Sequence, residues 1–584
     1  MAGKEQSLAA RTPSTLYGLL KPYWPWLSLL VVLTIVSNAL NLVVPQLVSA
    51  AIDGVGAAAT DFSLPGMITQ FAAISLGIFA FTYFQSIVQT VTSERIARDL
   101  RQRLIDRIAQ QSFSYVQSVS PGRLLTNLTS DIDAIKNMVS QAIATIVSSV
   151  FLIIGASALM LLLNWQLALA VLAVVPLIAV SFFFVHFRVR VLFLRAQGAI
   201  DWLNKVINES ILGSSLIRLL NSQQVEYEKF LAANTESLGI GMSILRFFAA
   251  LIPTITFLTN IATLIIVAYG GHLVINQSMT LGEFTAFNSY LSLLVFPIIL
   301  IGVMSNVVSQ ALASFRRIAE VLDAAPPRPA GALVRELRGD IEVSDLTVRY
   351  GHRAPLDDVS FSVRAGTRTA IIGPTAAGKT QLLYAMTGLI EPQAGRITYD
   401  GEPLDSYDRQ SLHRQVGLVF QDSVTFNLSL RENIAFSNRV DDASLKKAID
   451  TAELGDFIAT LPDRLDTVIS ERGTSLSGGQ KQRIMLARAL ALNPRVLLLD
   501  DFTARVDQRT ERKILANVRQ NYPGITLVSV TQKIAPVEDY DQIVLLMEGK
   551  VLAIGTHEVL LRSSPEYVQI FSSQQSTEDY ELQA

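Results

Sequence analysis

The stretch "AIIGPTAAGKTQLL" has a spacing that can hold a polyphosphate. A short apolar run, expected to be a strand, leads into a turn made of Gly373, Pro374, Thr375, Ala376, Ala377 and Gly378. Lys379, Thr380 and Gln381 then open a helical pattern. Glycines at the two ends of the turn let backbone amides approach phosphate oxygens, and the helix N-terminus adds partial positive charge. In that setting Lys379 bridges the terminal phosphates and the Thr380 hydroxyl ligates Mg2+. Further on, "RVLLLD" reads as a buried strand that ends by delivering the Asp500 carboxylate to such a site. The pattern is weak alone and strong beside a P-loop. A second acid, Asp501, follows directly, which raises the question of what chemistry it performs. In "LSGGQKQRIMLARAL", Ser477, Gly478 and Gly479 head a further helix whose N-terminus is expected to face outward.

The elements around these residues fall into two unlike halves. Half of the 584 residues are hydrophobic and only 17% are charged, against about 25% in a soluble domain. The apolar excess lies before residue 320, which marks a membrane domain. Six runs meet the requirement of about 20 apolar residues per crossing: Trp26–Ala51, Met67–Thr92, Met138–Leu163, Leu167–Val185, Phe247–Ile275 and Phe284–Val307. The third and fourth are parted only by "NWQ", which predicts a tight hairpin, and Pro253 and Pro297 are candidate kinks. Arg95, Arg98, Arg101, Arg103 and Arg107 follow the second run, and Arg188, Arg190 and Arg195 follow the fourth. The loops on the other side carry no Lys or Arg, so the basic connectors and both termini are expected in the cytoplasm. The helical spacing of "SERIARDLRQRLIDRIAQQSF" extends the membrane helices well beyond the bilayer. No Lys, Arg, Asp or Glu occupies the middle of a run, which argues against an ion-driven transporter. The energy is expected to come from the second half. The net charge of −2 argues against a nucleic-acid partner, and the absence of cysteine excludes disulfides, thiolate metal sites and cysteine nucleophiles.

The expected organisation is an N-terminal cytoplasmic segment over 1–25 and a transmembrane domain over 26–320. A linker over 321–337 contains "AAPPRPAGA", a nucleotide-binding domain covers 338–575, and a short tail covers 576–584. Taken together, the ordered motifs resemble those of ATP-binding-cassette exporter half-transporters, whose signature is LSGGQ. The resemblance covers essentially the whole chain. It implies an α-helical six-span transmembrane domain of the type IV exporter fold, followed by an α/β P-loop cassette using ATP and Mg2+. It also implies a dimer in which each ATP lies between one chain's P-loop and the other chain's signature. Ser477, Gly478, Gly479 and Gln480 would then serve the partner's ATP. Tyr350, in "LTVRYG", fits the aromatic that stacks on adenine. Gln421, in "VFQDSVTFNLSLRENI", fits the glutamine that joins Thr380 and Asp500 around Mg2+. "ERGTS" resembles a segment touching the partner's cytoplasmic helices, and "SPGRLLTNLTSDIDAIKN" and "NESILGSSLIRLL" resemble the stretches around two coupling helices.

Three positions depart from the family pattern. Asp501 stands where a glutamate usually acts as general base, and the lost methylene withdraws the carboxylate by roughly 1 Å, enough to cost about a hundredfold in rate. Gln532, in "TLVSVTQKIAPV", stands where a histidine is usual; its amide can bond a γ-phosphate but cannot become cationic. "ARVD", Ala504–Asp507, keeps only the final acid of the usual Ser-Ala-Leu-Asp. Lys379, Thr380, Gln421 and Asp500 are retained. This selective pattern resembles the degenerate-site subunit of heterodimeric multidrug exporters in a plasma membrane. It implies a site that binds ATP and turns it over poorly, paired with a homologous chain carrying the competent site. The expected cargo is a hydrophobic or amphiphilic compound, including lipids and hydrophobic peptides. A homodimer with two slow sites and an ATP-gated channel or regulator are the competing expectations. Asn38, Asn41, Gln46 and Asn260 in the spans either line a cavity or join helices.

Overall fold

The computed structural model describes residues 15–56, 63–326, 331–351, 353–437, 439–469, 476–502 and 506–583. "ERGTS" and the Ala504 and Arg505 positions of "ARVD" lie outside the described residues. The chain forms two compact units, Met1–Gln110 with Val119–Ala325, and Gln111–Ser118 with Pro326–Ala584.

Among the described residues, the first unit carries six helices long and apolar enough to cross a membrane: Leu16–Val55, Leu64–Gln110, Pro121–Leu163, Trp165–Leu212, Gln223–Ile275 and Leu281–Leu322. The second spans 47 residues, or about 70 Å at ~1.5 Å per residue, more than twice the thickness of a hydrocarbon layer. The expected extension of the helices beyond a bilayer is therefore present. The connection expected to occupy "NWQ" is tighter still. Only Asn164 separates the third and fourth helices, because its Oδ1 accepts a hydrogen bond from the Leu167 amide at 3.0 Å and starts the new helix at Trp165. Pro253 and Pro297 lie inside unbroken helical segments, as does Pro45. The third helix contains two π-turns, Asn127–Asp131 and Met138–Ala142.

Neutral polar side chains join these helices. Asn38 donates to the Thr34 carbonyl at 2.7 Å and accepts from Ser148 of the third helix at 2.9 Å. Asn41 bonds the Ser37 carbonyl one turn back. Between the two readings left open for these residues, Asn38 is a helix-to-helix link, and Asn260 is exposed. The carboxylate of Asp131 is buried, pairs with Arg317 and accepts from Ser314 at 2.9 Å, tying the third helix to the sixth.

The second unit is built on two sheets. Strands β1 (Ile341–Tyr350), β2 (Arg353–Val363), β4 (Ala394–Tyr399) and β5 (Glu402–Pro403) form an antiparallel sheet in the order β2-β1-β4-β5. The alternating burial along β1 fits a sheet with one wet face. The other sheet contains β3 (Arg368–Ile372), β6 (Val416–Val419), β7 (Val496–Asp500), β8 (Thr526–Thr531), β9 (Gln542–Met547) and β10 (Lys550–Gly555). Its order is β10-β9-β3-β8-β7-β6, parallel except for the β10 edge. The runs "VLLLD" and "TLVSVT" are buried at every residue, as expected for strands covered on both faces. Within this unit, Phe113 sets its ring edge-on to Tyr384, with centroids 5.4 Å apart.

Candidate functional site

Open parallel sheets bind ligands beyond the carboxyl ends of their strands. Here four neighbouring strands each deliver one part. β3 runs into the Gly373–Gly378 turn, β8 leads to Gln532, β7 ends at Asp500, and β6 is followed by Gln421. A cleft of about 570 Å3 collects Thr375 to Gln381, Gln421, Asp500, Asp501 and Gln532. That is a usual size for a small-molecule site.

The turn depends on its glycines. A Cβ on Gly373 would collide with the Leu546 carbonyl oxygen. Gly378, at φ 97°, is left-handed, and a Cβ there would collide with the Pro355 carbonyl oxygen. Ala376 is also left-handed, at φ 67°, a conformation that costs an L-residue about 1 kcal/mol. The helix Lys379–Met386 starts directly after Gly378. Lys379 is 8% exposed, and its Nζ donates to the Gly373 and Pro374 carbonyls at 2.7 and 2.8 Å, so the ammonium sits inside the arch of the turn. Burial pulls its pKa below the ordinary value, against the pull of Asp501 and Asp500.

Asp500 is 1% exposed. Its Oδ1 accepts from the Thr380 hydroxyl at 3.2 Å, and its Oδ2 is buried with no partner among the described residues. Burial is the main cause that pushes its pKa up to about 6; Asp501 and Asp422 add to the rise, while Thr380 and Lys379 oppose it. An orphaned carboxylate oxygen beside a hydroxyl, among further acids, is a donor set suited to a hard cation such as Mg2+. Gln421 lines the same cleft, and its backbone carbonyl accepts from Gln482 of the signature helix at 3.0 Å. The residues present therefore fit both a phosphate chain and its magnesium.

Asp501 has a left-handed backbone, φ 47°, and its amide donates to the Val530 carbonyl at 3.0 Å. This bond anchors it to β8. The segment after β8 is held from the C-terminal helix, Pro565–Gln583: Gln574 donates to the Gln532 carbonyl at 2.6 Å and accepts from the Ile534 amide at 2.9 Å. Tyr350 stands beside the cleft, 47% exposed, its hydroxyl bonding Gln381 at 2.9 Å.

The signature residues are not brought into this cleft. Ser477 instead caps the helix Gly478–Leu490, accepting from the Gln480 amide at 3.2 Å while Gln480 Oε1 accepts from the Ser477 amide at 2.8 Å. Sequence reasoning missed Arg353, Pro355, Glu548 and Gln574. Arg353 and Pro355 follow Tyr350 shortly after Gly351, and Glu548 precedes Gly549 in "MEGK"; both glycines are hairpin-turn signals whose nearness to the P-loop depends on strand pairing.

Comparison with known proteins places this geometry. Residues 27–298 match the family model "ABC transporter transmembrane region", and residues 356–504 match "ABC transporter". The chain is 30% identical over 572 residues to "Probable multidrug resistance ABC transporter ATP-binding/permease protein YheI" of Bacillus subtilis, covering 95% of this chain and 96% of that protein. It is 29% identical over 560 residues to an "ATP-dependent lipid A-core flippase" of Syntrophus aciditrophicus, covering 95% and 93%. A solved structure, "Structure of a bacterial Atm1-family ABC exporter with ATP bound", superposes with a TM-score of 0.76 at 25% identity, covering 95% of this chain and 99% of the other. The chain is a multi-pass membrane protein of the ABC transporter family, an ATPase-coupled exporter with its transmembrane and ATP-binding domains on one polypeptide.

Proposed function

We propose that this chain is one half of a two-chain exporter that moves hydrophobic or amphiphilic compounds out of the cytoplasm or the inner leaflet. Its own site binds ATP through Lys379, the Gly373–Gly378 turn and Tyr350, with Mg2+ held by Thr380, Gln421 and Asp500. That site turns ATP over slowly. Its signature, Ser477 to Gln480, completes the competent site of a homologous partner chain. Both termini and the nucleotide domain face the cytoplasm. The multidrug and lipid activities named for two relatives support the cargo class.

One observation carries the reading. Asp500 and Lys379 are assembled in one cleft with the P-loop turn, whereas the positions that the family resemblance assigns to catalysis line the same cleft with the short Asp501 carboxylate and the non-titrating Gln532 amide. The test is ATP turnover by the purified chain and by its complex with the partner. The chain alone is expected to bind ATP with slow hydrolysis, and the paired variant Asp501→Glu, Gln532→His is expected to raise hydrolysis in the complex. Fast hydrolysis by the chain alone, unchanged by Asp501→Asn, overturns the proposal.

A further inference from the structure

The first unit contains a cavity of about 310 Å3 between the second, third and sixth membrane helices. Its polar lining comes from Gln85 and Gln89 of the second helix, Thr145, Ser148 and Ser149 of the third, and Ser292 of the sixth. Every one of these side chains is a neutral hydrogen-bonding group, and no ionisable residue among the described residues lines the cavity. Three already have protein partners: Gln89 donates to the Ser140 carbonyl, Ser148 to Asn38 at 2.9 Å, and Ser292 to the Asn288 carbonyl at 3.1 Å. The side chains of Gln85, Thr145 and Ser149 make no hydrogen bond among the described residues.

Unpaired amide and hydroxyl groups at membrane depth are costly unless something hydrogen-bonds them. Their convergence from two helices gives a donor-and-acceptor surface with no charge to balance an ion. A phosphate or ammonium placed there would lose its hydration without gaining a counter-charge, a heavy penalty inside a bilayer. A hydroxyl-rich or amide head would exchange water for protein partners one for one. The volume is at the small end for ligand sites, which suits a head group and not a whole amphiphile. Phe296, at the same cavity, is 63% exposed and offers an apolar surface for the attached tail.

We propose that this cavity receives the uncharged, hydrogen-bonding head of the exported amphiphile, with Gln85 and Thr145 as its reading groups. The inference rests on the exporter reading above and narrows its cargo to neutral polar heads, such as glycosides, over cationic or phosphorylated ones. The full chain in lipid nanodiscs is titrated with tritiated decyl glucoside, decyltrimethylammonium and decyl phosphate, with binding to empty nanodiscs subtracted. Decyl glucoside is expected to bind at least tenfold more tightly than the two charged probes. The double variant Gln85→Leu, Thr145→Val is expected to lose that tenfold preference while keeping its ATP affinity. Gln85→Glu is expected to shift the preference toward decyltrimethylammonium, a gain that misfolding cannot mimic. Equal binding of the three probes, tighter binding of a charged probe, or glucoside binding unchanged in the double variant overturns the proposal. ATP-driven accumulation of a lipophilic dye in inside-out vesicles that hold the chain together with its partner separates the two readings. Accumulation without glucoside preference defeats only the cavity proposal, whereas glucoside preference without any accumulation defeats only the exporter reading.

Discussion

At the residue scale, the nucleotide domain keeps two buried acids whose burial disfavours charge. Asp500 has a use for that state, since a carboxylate stripped of water and short of partners binds a divalent cation strongly. Glu511 lies outside the cleft. It is 3% exposed, its Oε1 has no partner among the described residues, and burial pushes its pKa up to about 7 against the pull of Lys533 and Arg512. An acid whose folded pKa is raised loses stability as pH rises from its unfolded value, near 4.5, to its folded value, and the loss is complete above that. Glu511→Gln is therefore expected to stabilise the nucleotide domain by on the order of 2 kcal/mol at pH 8 and to leave it unchanged near pH 4.5. Denaturant melts of both proteins across that range check it. Lys379 and Asp500 were legible from spacing alone, because a strand, a glycine turn and a helix leave little choice of geometry. Glu511 was not, because an acid four residues past Asp507 reads as an ordinary solvated helix position until packing covers it.

At the element scale, the signature helix shows how one short segment can serve two purposes. Ser477 and Gln480 satisfy the first amides of their own helix, and Gln482 reaches the Gln421 backbone. The helix thus holds the loop that lines this chain's cleft, while its N-terminus lies outside that cleft. Loss of a serine cap typically costs about 1 kcal/mol. Ser477→Ala is expected to lower ATP turnover by the two-chain complex and to leave nucleotide binding at this chain's own P-loop unchanged within about twofold. Steady-state turnover and labelled-nucleotide binding, measured on the same preparation, check it; equal loss in both would assign the signature to this chain's own site.

At the scale of the whole molecule, two units with separate cores share one chain. In the first, the buried Asp131 carboxylate, held by Arg317 and Ser314, links helices far apart in sequence. Arg317 is 42% exposed, so losing Asp131 leaves a guanidinium that water can reach, and the cost is that of the lost charge-assisted hydrogen bonds, on the order of 1–2 kcal/mol. Asp131→Ala is expected to lower the melting temperature of the membrane unit and to leave ATP affinity unaltered. Intrinsic fluorescence melts with and without nucleotide check it; a matching fall in ATP affinity would mean that the two units melt as one.

The amino-acid sequence by itself determined the six membrane helices, the P-loop, the strand that ends at Asp500 and the order of the cassette motifs. Each is written in local spacing: a run of about 20 apolar residues admits only a spanning helix, and a phosphate turn needs its glycines at set positions. Tertiary structure alone decided which separated residues meet. The sheet order β3-β8-β7-β6 brings Gly373, Gln532, Asp500 and Gln421 to one edge. Helix packing turned Asn38 into a link to Ser148 and left Gln85 and Thr145 facing a cavity. A neutral polar residue within an apolar run carries no mark of its partner. Only the neighbouring helix settles whether its hydrogen bonds are spent on protein or remain for a ligand.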